Sequence, residues 1–211
     1  MDMLSKLRVS LAAGFLLVTV TCIAQTPTTR KSAPRSGSST SDGGRPCLLN
    51  GDRGVVPDCI QHNKSGKLVL APEYVKELDF DSSGLAPVRS EAPPYDWMYV
   101  NRKGAVVITG VPAFDNWADD FSDGLVRTVV DHKYGFADRH GRIVIKPAYD
   151  WASPFDHGFA QACNHCRAMC GTPHGAVEER SLPGGCEHRF MAGGQWFKIN
   201  KKGRIVGRLR R

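Results

Sequence analysis

One four-residue turn is written four times in this chain, and its spacing constrains the fold more than any other feature. The copies are Asn63-Lys64-Ser65-Gly66, Asn101-Arg102-Lys103-Gly104, Asp138-Arg139-His140-Gly141 and Asn200-Lys201-Lys202-Gly203. An Asn or Asp side chain at the first position can accept backbone N–H bonds two residues on. Gly at the fourth supplies a positive φ. The glycines lie 38, 37 and 62 residues apart. A fixed turn at a period near 37 means a repeat architecture, in which units too small to bury both faces must stack.

The residues around the turn recur with it. Apolar strands follow each copy, as in Leu68-Val69-Leu70, Val106-Val107-Ile108, Ile143-Val144-Ile145 and Ile205-Val206. Three copies then carry Pro-x-aromatic, at Pro72/Tyr74, Pro112/Phe114 and Pro147/Tyr149. A second element follows, Phe80 to Leu85, Phe121 to Leu125 and Phe155 to Phe159, each with a Gly just before its last residue. Trp97, Tyr134 and Trp196 stand four residues before the turn Asn or Asp, and Cys59 takes that place in the first copy. Recurring aromatics in strands read as packing. In Tyr134–Asp138 the side chains alternate with the period of a strand that has two different faces. Helix signals are few, and only Pro72–Leu78 and Pro112–Asp119 can carry a helical turn. The fold expected is all-β, a short array of stacked antiparallel hairpins.

These copies resemble WG repeats, a bacterial family also called KWG repeats. The third copy carries the likeness best: His132-Lys133-Tyr134-Gly135-Phe136-Ala137-Asp138, then Gly141 through Pro147-Ala148-Tyr149-Asp150. The resemblance spans about Cys59–Val206, with a break. It departs from the family at Met98, Phe197 and Ile60, which replace the Gly of the name, and at Tyr134, which replaces the Trp. The family is defined by its repeat and implies no common activity or catalytic residue. The likeness therefore bears on architecture and leaves function open.

Outside the repeats, residues 1–24 read as a secretory signal. Lys6 and Arg8 precede the apolar run Val9–Val20, which at 12 residues is too short to span a bilayer. Small residues Cys22 and Ala24 fit cleavage before Gln25. The rival is a lipoprotein signal with lipid on Cys22. Export to the periplasm or medium is the expectation, with no transmembrane helix in the mature chain. Residues 25–46 are rich in Ser, Thr, Pro and Gly and read as a disordered linker. The repeat domain is expected over 47–211. The chain carries a net charge of +7, which falls to +6 once Lys6, Arg8 and Asp2 are removed. A spread charge of that size, without an aromatic stacking platform, argues against nucleic acid as partner.

The last interval exceeds the period by about 25 residues, and the excess falls between Phe159 and Trp196. This insertion, about 163–188, holds Cys163, Cys166, Cys170 and Cys186 with His165, His174 and His188. Six mature cysteines in an exported chain read first as disulfides, though six allow 15 connectivities. Cys47–Cys59 would tie the start of the fold to its first repeat. Cys163–Cys186 would pin the insertion, and Cys166–Cys170 would close its tip. The alternative is zinc held by Cys163, Cys166, Cys186 and His188 in a Cys₃His set, or thiol-redox chemistry at Cys163-x-x-Cys166. A loop grafted on a rigid scaffold is the expected place of binding. His165 and His174 are candidates there, and Trp117 and Trp151 as possible edges of a groove. No catalytic residue stands out, and no enzyme is expected. The expectation is an exported repeat scaffold that binds a protein or glycan partner in the bacterial envelope, of which an immunity or inhibitor protein would be a specialised form.

Overall fold

The computed structural model describes residues 44–49, 54–93, 95–114, 116–172, 175–179, 186 and 189–210. The signal sequence, Cys22, His174 and His188 lie outside the described residues, as does the linker up to residue 43.

Four antiparallel three-stranded meanders follow one another along the chain. The first is β1 (Arg45–Leu48), β2 (Val55–His62) and β3 (Leu68–Leu70). β1 begins two residues inside the segment read as linker. The one helix among the described residues, α1 (Pro72–Val75), is a single turn with Pro at its start, where a missing N–H does no harm. The second meander is β4 (Leu85–Ser90), β5 (Trp97–Asn101) and β6 (Val106–Val111). β1 pairs with β4, so the first two meanders form one six-stranded sheet in the order β3-β2-β1-β4-β5-β6.

Pro112–Asp119, one of two stretches able to carry a helical turn, is instead a small hairpin. Its strands β7 (Ala113–Phe114) and β8 (Trp117–Ala118) pair around Asn116, which sits at φ +65°. Asn tolerates that region and favours the turn over helix. The third meander is β9 (Leu125–Val130), β10 (Lys133–Asp138) and β11 (Ile143–Tyr149). β12 (Trp151–Ala152) leads to β13 (Phe159–Asn164). The chain then leaves for the insertion, a separate sheet of β14 (Arg167–Thr172), β15 (Gly175–Glu178) and β16 (Arg189–Ala192). It returns as β17 (Gln195–Asn200) and β18 (Ile205–Leu209), which complete the fourth meander with β13.

The turn chemistry read from sequence is present in all four copies. Asn63, Asn101, Asp138 and Asn200 each accept N–H bonds of 2.9–3.1 Å on Oδ1 from residues two and four further on. Each Gly N–H donates back to the carbonyl of the first turn residue. Asp81 makes the same bonds to Ser83 and Leu85, a fifth instance in a turn that the period did not mark.

Each inner meander buries both faces. In β5, Met98 and Val100 belong to the core shared with β1–β3, while Trp97 and Tyr99 belong to the core shared with the third meander. In β9 and β10, Val126 and Ala137 face back, and Leu125 and Phe136 face forward onto Phe155, Phe197 and Ile199. Alternation thus reports two neighbours, not a neighbour and water. The turns carry the stacking. Gly104 approaches Leu70, Gly141 approaches Val107 and Gly203 approaches Ile145, each on the third strand of the preceding meander. Leu70 N–H donates to Gly104 O at 2.7 Å, so the first such contact is also a backbone bond.

Candidate functional site

The links between first and second strands of the meanders lie at one topological edge of the array. In the third meander this link is the two-residue turn Asp131-His132, with φ of +49° and +60°. In the second it is the loop from Glu91 to Asp96. In the fourth, Asn164 pairs with Gln195, and residues 165–194 replace the turn. The hairpin register is undisturbed up to that pair. The insertion is therefore spliced into a turn, and it spans 165–194 where the sequence suggested about 163–188.

The root of the insertion is built from aromatic rings and a disulfide. Cys163 is bonded to Cys166, both buried, and they pack with Trp196, Trp151, Met191 and Leu209. Trp151 and Trp196 have ring centroids 5.7 Å apart, and Trp196 gives its indole N–H to Gly193 O at 2.8 Å. Asp150 ties this root to the third meander. One carboxylate oxygen takes Lys133 Nζ at 2.5 Å and the other takes His165 N–H at 2.5 Å. The Lys133 bond, with that of His165, outweighs burial and holds the Asp150 carboxyl below its ordinary value. His165 is exposed at φ +59°, and its backbone makes the contact to Asp150.

The second disulfide in the insertion joins Cys170 and Cys186, and the third of the chain joins Cys47 and Cys59. The pairing expected from sequence inside the insertion, Cys163–Cys186 with Cys166–Cys170, is corrected. The reason is register: Cys163 lies opposite Trp196 on β17, whereas Cys170 lies opposite Arg189, three residues from Cys186. The proposed Cys₃His quartet is thereby divided between two disulfides, with His188 outside the described residues. Two ion pairs brace the insertion sheet, Arg167 to Glu178 at 2.5 Å and Arg189 to Glu179.

A groove of about 890 Å³ opens between the second and third meanders at the same edge. Arg89, Tyr95, Asp96 and Trp97 line one side, Asp131, His132 and Val129 another, and Gly110–Ala113 the wall between. Asp96 Oδ2 accepts Gly110 N–H at 2.9 Å and fixes that wall. Trp117 packs against Trp97, with ring centroids 4.9 Å apart and planes tilted by 50°, and is 40% exposed; it lines a separate cleft with Tyr99, Phe121 and Arg139. In that cleft burial raises the Tyr99 hydroxyl well above its ordinary value, and the hydroxyl donates to Asp119 O at 2.8 Å. Sequence reasoning named Trp117 and Trp151 as groove edges and passed over Tyr95, Asp131 and His132. A non-glycine pair in a two-residue hairpin turn was the available signal for the last two.

These features define an all-β repeat protein with a disulfide-bonded insertion and a lined groove along one edge. Residues 63–91, 97–134 and 134–164 match the model of the WG containing repeat. The chain is a WG repeat-containing protein. The fourth meander beyond 164 is outside those matches, although its turn makes the same bonds as the other three. No curated protein and no solved structure matches the chain. No helix among the described residues is long and apolar enough to cross a membrane.

Proposed function

We propose that this protein is an exported, non-enzymatic binding module of the bacterial envelope, which presents a recognition edge on a WG-repeat scaffold. The observation behind this reading is the splice at Asn164/Gln195. A three-stranded sheet stands where a neighbouring meander makes do with two residues, and the scaffold register is kept. Such grafting is how rigid folds carry binding loops. The three disulfides suit an oxidising compartment. An immunity or inhibitor protein is a special case of the same reading.

The test is to replace residues 165–194 with Asp-His, the turn of the third meander. The shortened chain is expected to keep its β-sheet circular dichroism and to lose the partner that the full chain retains from an envelope extract. Undiminished retention of the same partner would remove the insertion from recognition.

The alternative is a zinc or thiol-redox protein using the insertion, and the Cys163-x-x-Cys166 spacing favours it. It requires free thiolates, which a disulfide does not offer. The binding reading expects the non-reduced chain to lack six hydrogens by intact mass, two for each disulfide. Free thiols at Cys163 and Cys166 with stoichiometric zinc would instead establish the alternative.

A further inference from the structure

We infer that the groove between the second and third meanders binds a neutral saccharide chain. The inference rests on the reading of this protein as a binding module, and names a ligand for the groove in place of the insertion.

The groove contains polar groups that the fold does not use. Trp97 is 3% exposed as a residue, and its indole N–H makes no hydrogen bond among the described residues; no buried side-chain nitrogen there lacks a partner, so this N–H is open to solvent. Its counterpart Trp196 gives the same N–H to Gly193. The carboxylate of Asp131, the imidazole of His132 and the hydroxyl of Tyr95 likewise make no hydrogen bond or ion pair among the described residues. An indole N–H that solvent reaches can donate to a ligand oxygen in place of water.

The backbone is strained at the same three positions. Tyr95 stands at φ +35°, a region that a bulky residue seldom occupies, with its ring 64% exposed. Asp131 and His132, across the groove, are also at positive φ. Asn-Gly would make that turn without strain. Strain kept at residues whose side chains serve no internal contact points to a ligand.

The lining selects the class. Tyr95 offers an exposed aromatic plate, and Val111, Pro112 and Val129 an apolar wall. Asp96 and Asp131 disfavour a phosphate or an acidic peptide. Arg89, which lies 5.9 Å from the Trp97 ring, is already paired with Glu91 at 2.5 Å, so the two carboxylates stand as acceptors for hydroxyl donors. What suits carboxylate acceptors, an aromatic plate and an indole donor is a ligand with apolar C–H faces and many hydroxyls. A saccharide has both. The volume lies at the upper end of ordinary ligand sites, about 300–1,000 Å³, and accommodates several rings.

The test is titration calorimetry of the full chain with cellohexaose, chitohexaose and maltohexaose, and with hexaglutamate and hexalysine peptides. At least one hexasaccharide is expected to bind in the sub-millimolar range. Tyr95→Ala, an exposed substitution, is expected to weaken it about tenfold, the scale of one aromatic stacking contact. Asp131→Ala is expected to weaken it as well, and Ile205→Ala, exposed on β18, to leave it unchanged. No binding by any of the three sugars, binding of a peptide in their place, or wild-type affinity in both groove variants would overturn the assignment. Silent sugars with partner loss on replacing 165–194 would sink the saccharide and leave the binding reading standing. Sugar binding that survives that replacement, with partner retention also unchanged, would do the reverse for the insertion.

Discussion

Gly141→Ala is expected to destabilise the fold far more than Gly66→Ala, although the two glycines hold the same place in the same turn. Their φ values are +78° and +74°, so the left-handed conformation penalises an added Cβ about equally, by roughly 1–2 kcal/mol. The surroundings differ. A Cβ at Gly66 meets nothing within 4 Å, because no meander precedes the first. A Cβ at Gly141 would lie 2.2 Å from Val107 O and 3.1 Å from Val107 C. Those are backbone atoms of β6, which cannot swing aside as a side-chain tip can. Relief requires β11 and β6 to part, and that opens the core of Trp97, Tyr99, Val126 and Ala137. The total loss at Gly141 is expected to reach about 4 kcal/mol, beyond the usual range for a single substitution. Urea unfolding of the two variants checks it. Losses equal within about 0.5 kcal/mol would mean that stacking at this turn carries no weight.

The contrast also shows what the sequence could disclose. The turns were legible because their bonds are local: one Oδ1 reaches residues two and four ahead, whatever the neighbours do. The stacking was not, since four near-identical turns meet four different surroundings. Disulfide partners in the insertion depend on register, and nothing in the spacing of Cys163, Cys166, Cys170 and Cys186 sets which residue faces Trp196 or Arg189. At Pro112–Asp119 a proline start suited a helix or a strand, and Asn116 decided for the hairpin. The groove was the least visible feature. Tyr95 and Asp131 come from different meanders and meet only because those meanders stack. Recurrence of Trp97, correctly taken as packing, also hid that its ring nitrogen is left over.

Asp119→Ala is expected to be as damaging as the change at Gly141, for an electrostatic reason. Asp119 and Arg127 form a buried bidentate pair: Nε to Oδ2 and Nη2 to Oδ1, both 2.8 Å, with side chains 4% and 6% exposed. Arg127 Nη1 also donates to Ala152 O at 3.0 Å, which pins β12 to β9. Removing the carboxylate leaves a guanidinium inside the array with the Ala152 carbonyl and the face of the Tyr134 ring, and no counter-charge. Breaking such a pair from one side costs about 3–5 kcal/mol. Removing both charges need not, and the neighbouring copies show how. The equivalent positions are Leu78 and Pro87 in the preceding copy and Ser153 and Gln161 in the following one. There Gln161 N–H donates to Ser153 Oγ at 3.0 Å, a neutral form of the contact that Arg127 N–H makes with Asp119. Asp119→Ser with Arg127→Gln is therefore expected to recover most of what Asp119→Ala loses. Thermal unfolding should place the single variant about 10 °C below the parent, taking 2–4 °C per kcal/mol for a chain of this size, and the double variant within a few degrees of it. A double variant no more stable than the single one would mean that the charges themselves hold this junction, and that the neutral solution next door depends on more than these two residues.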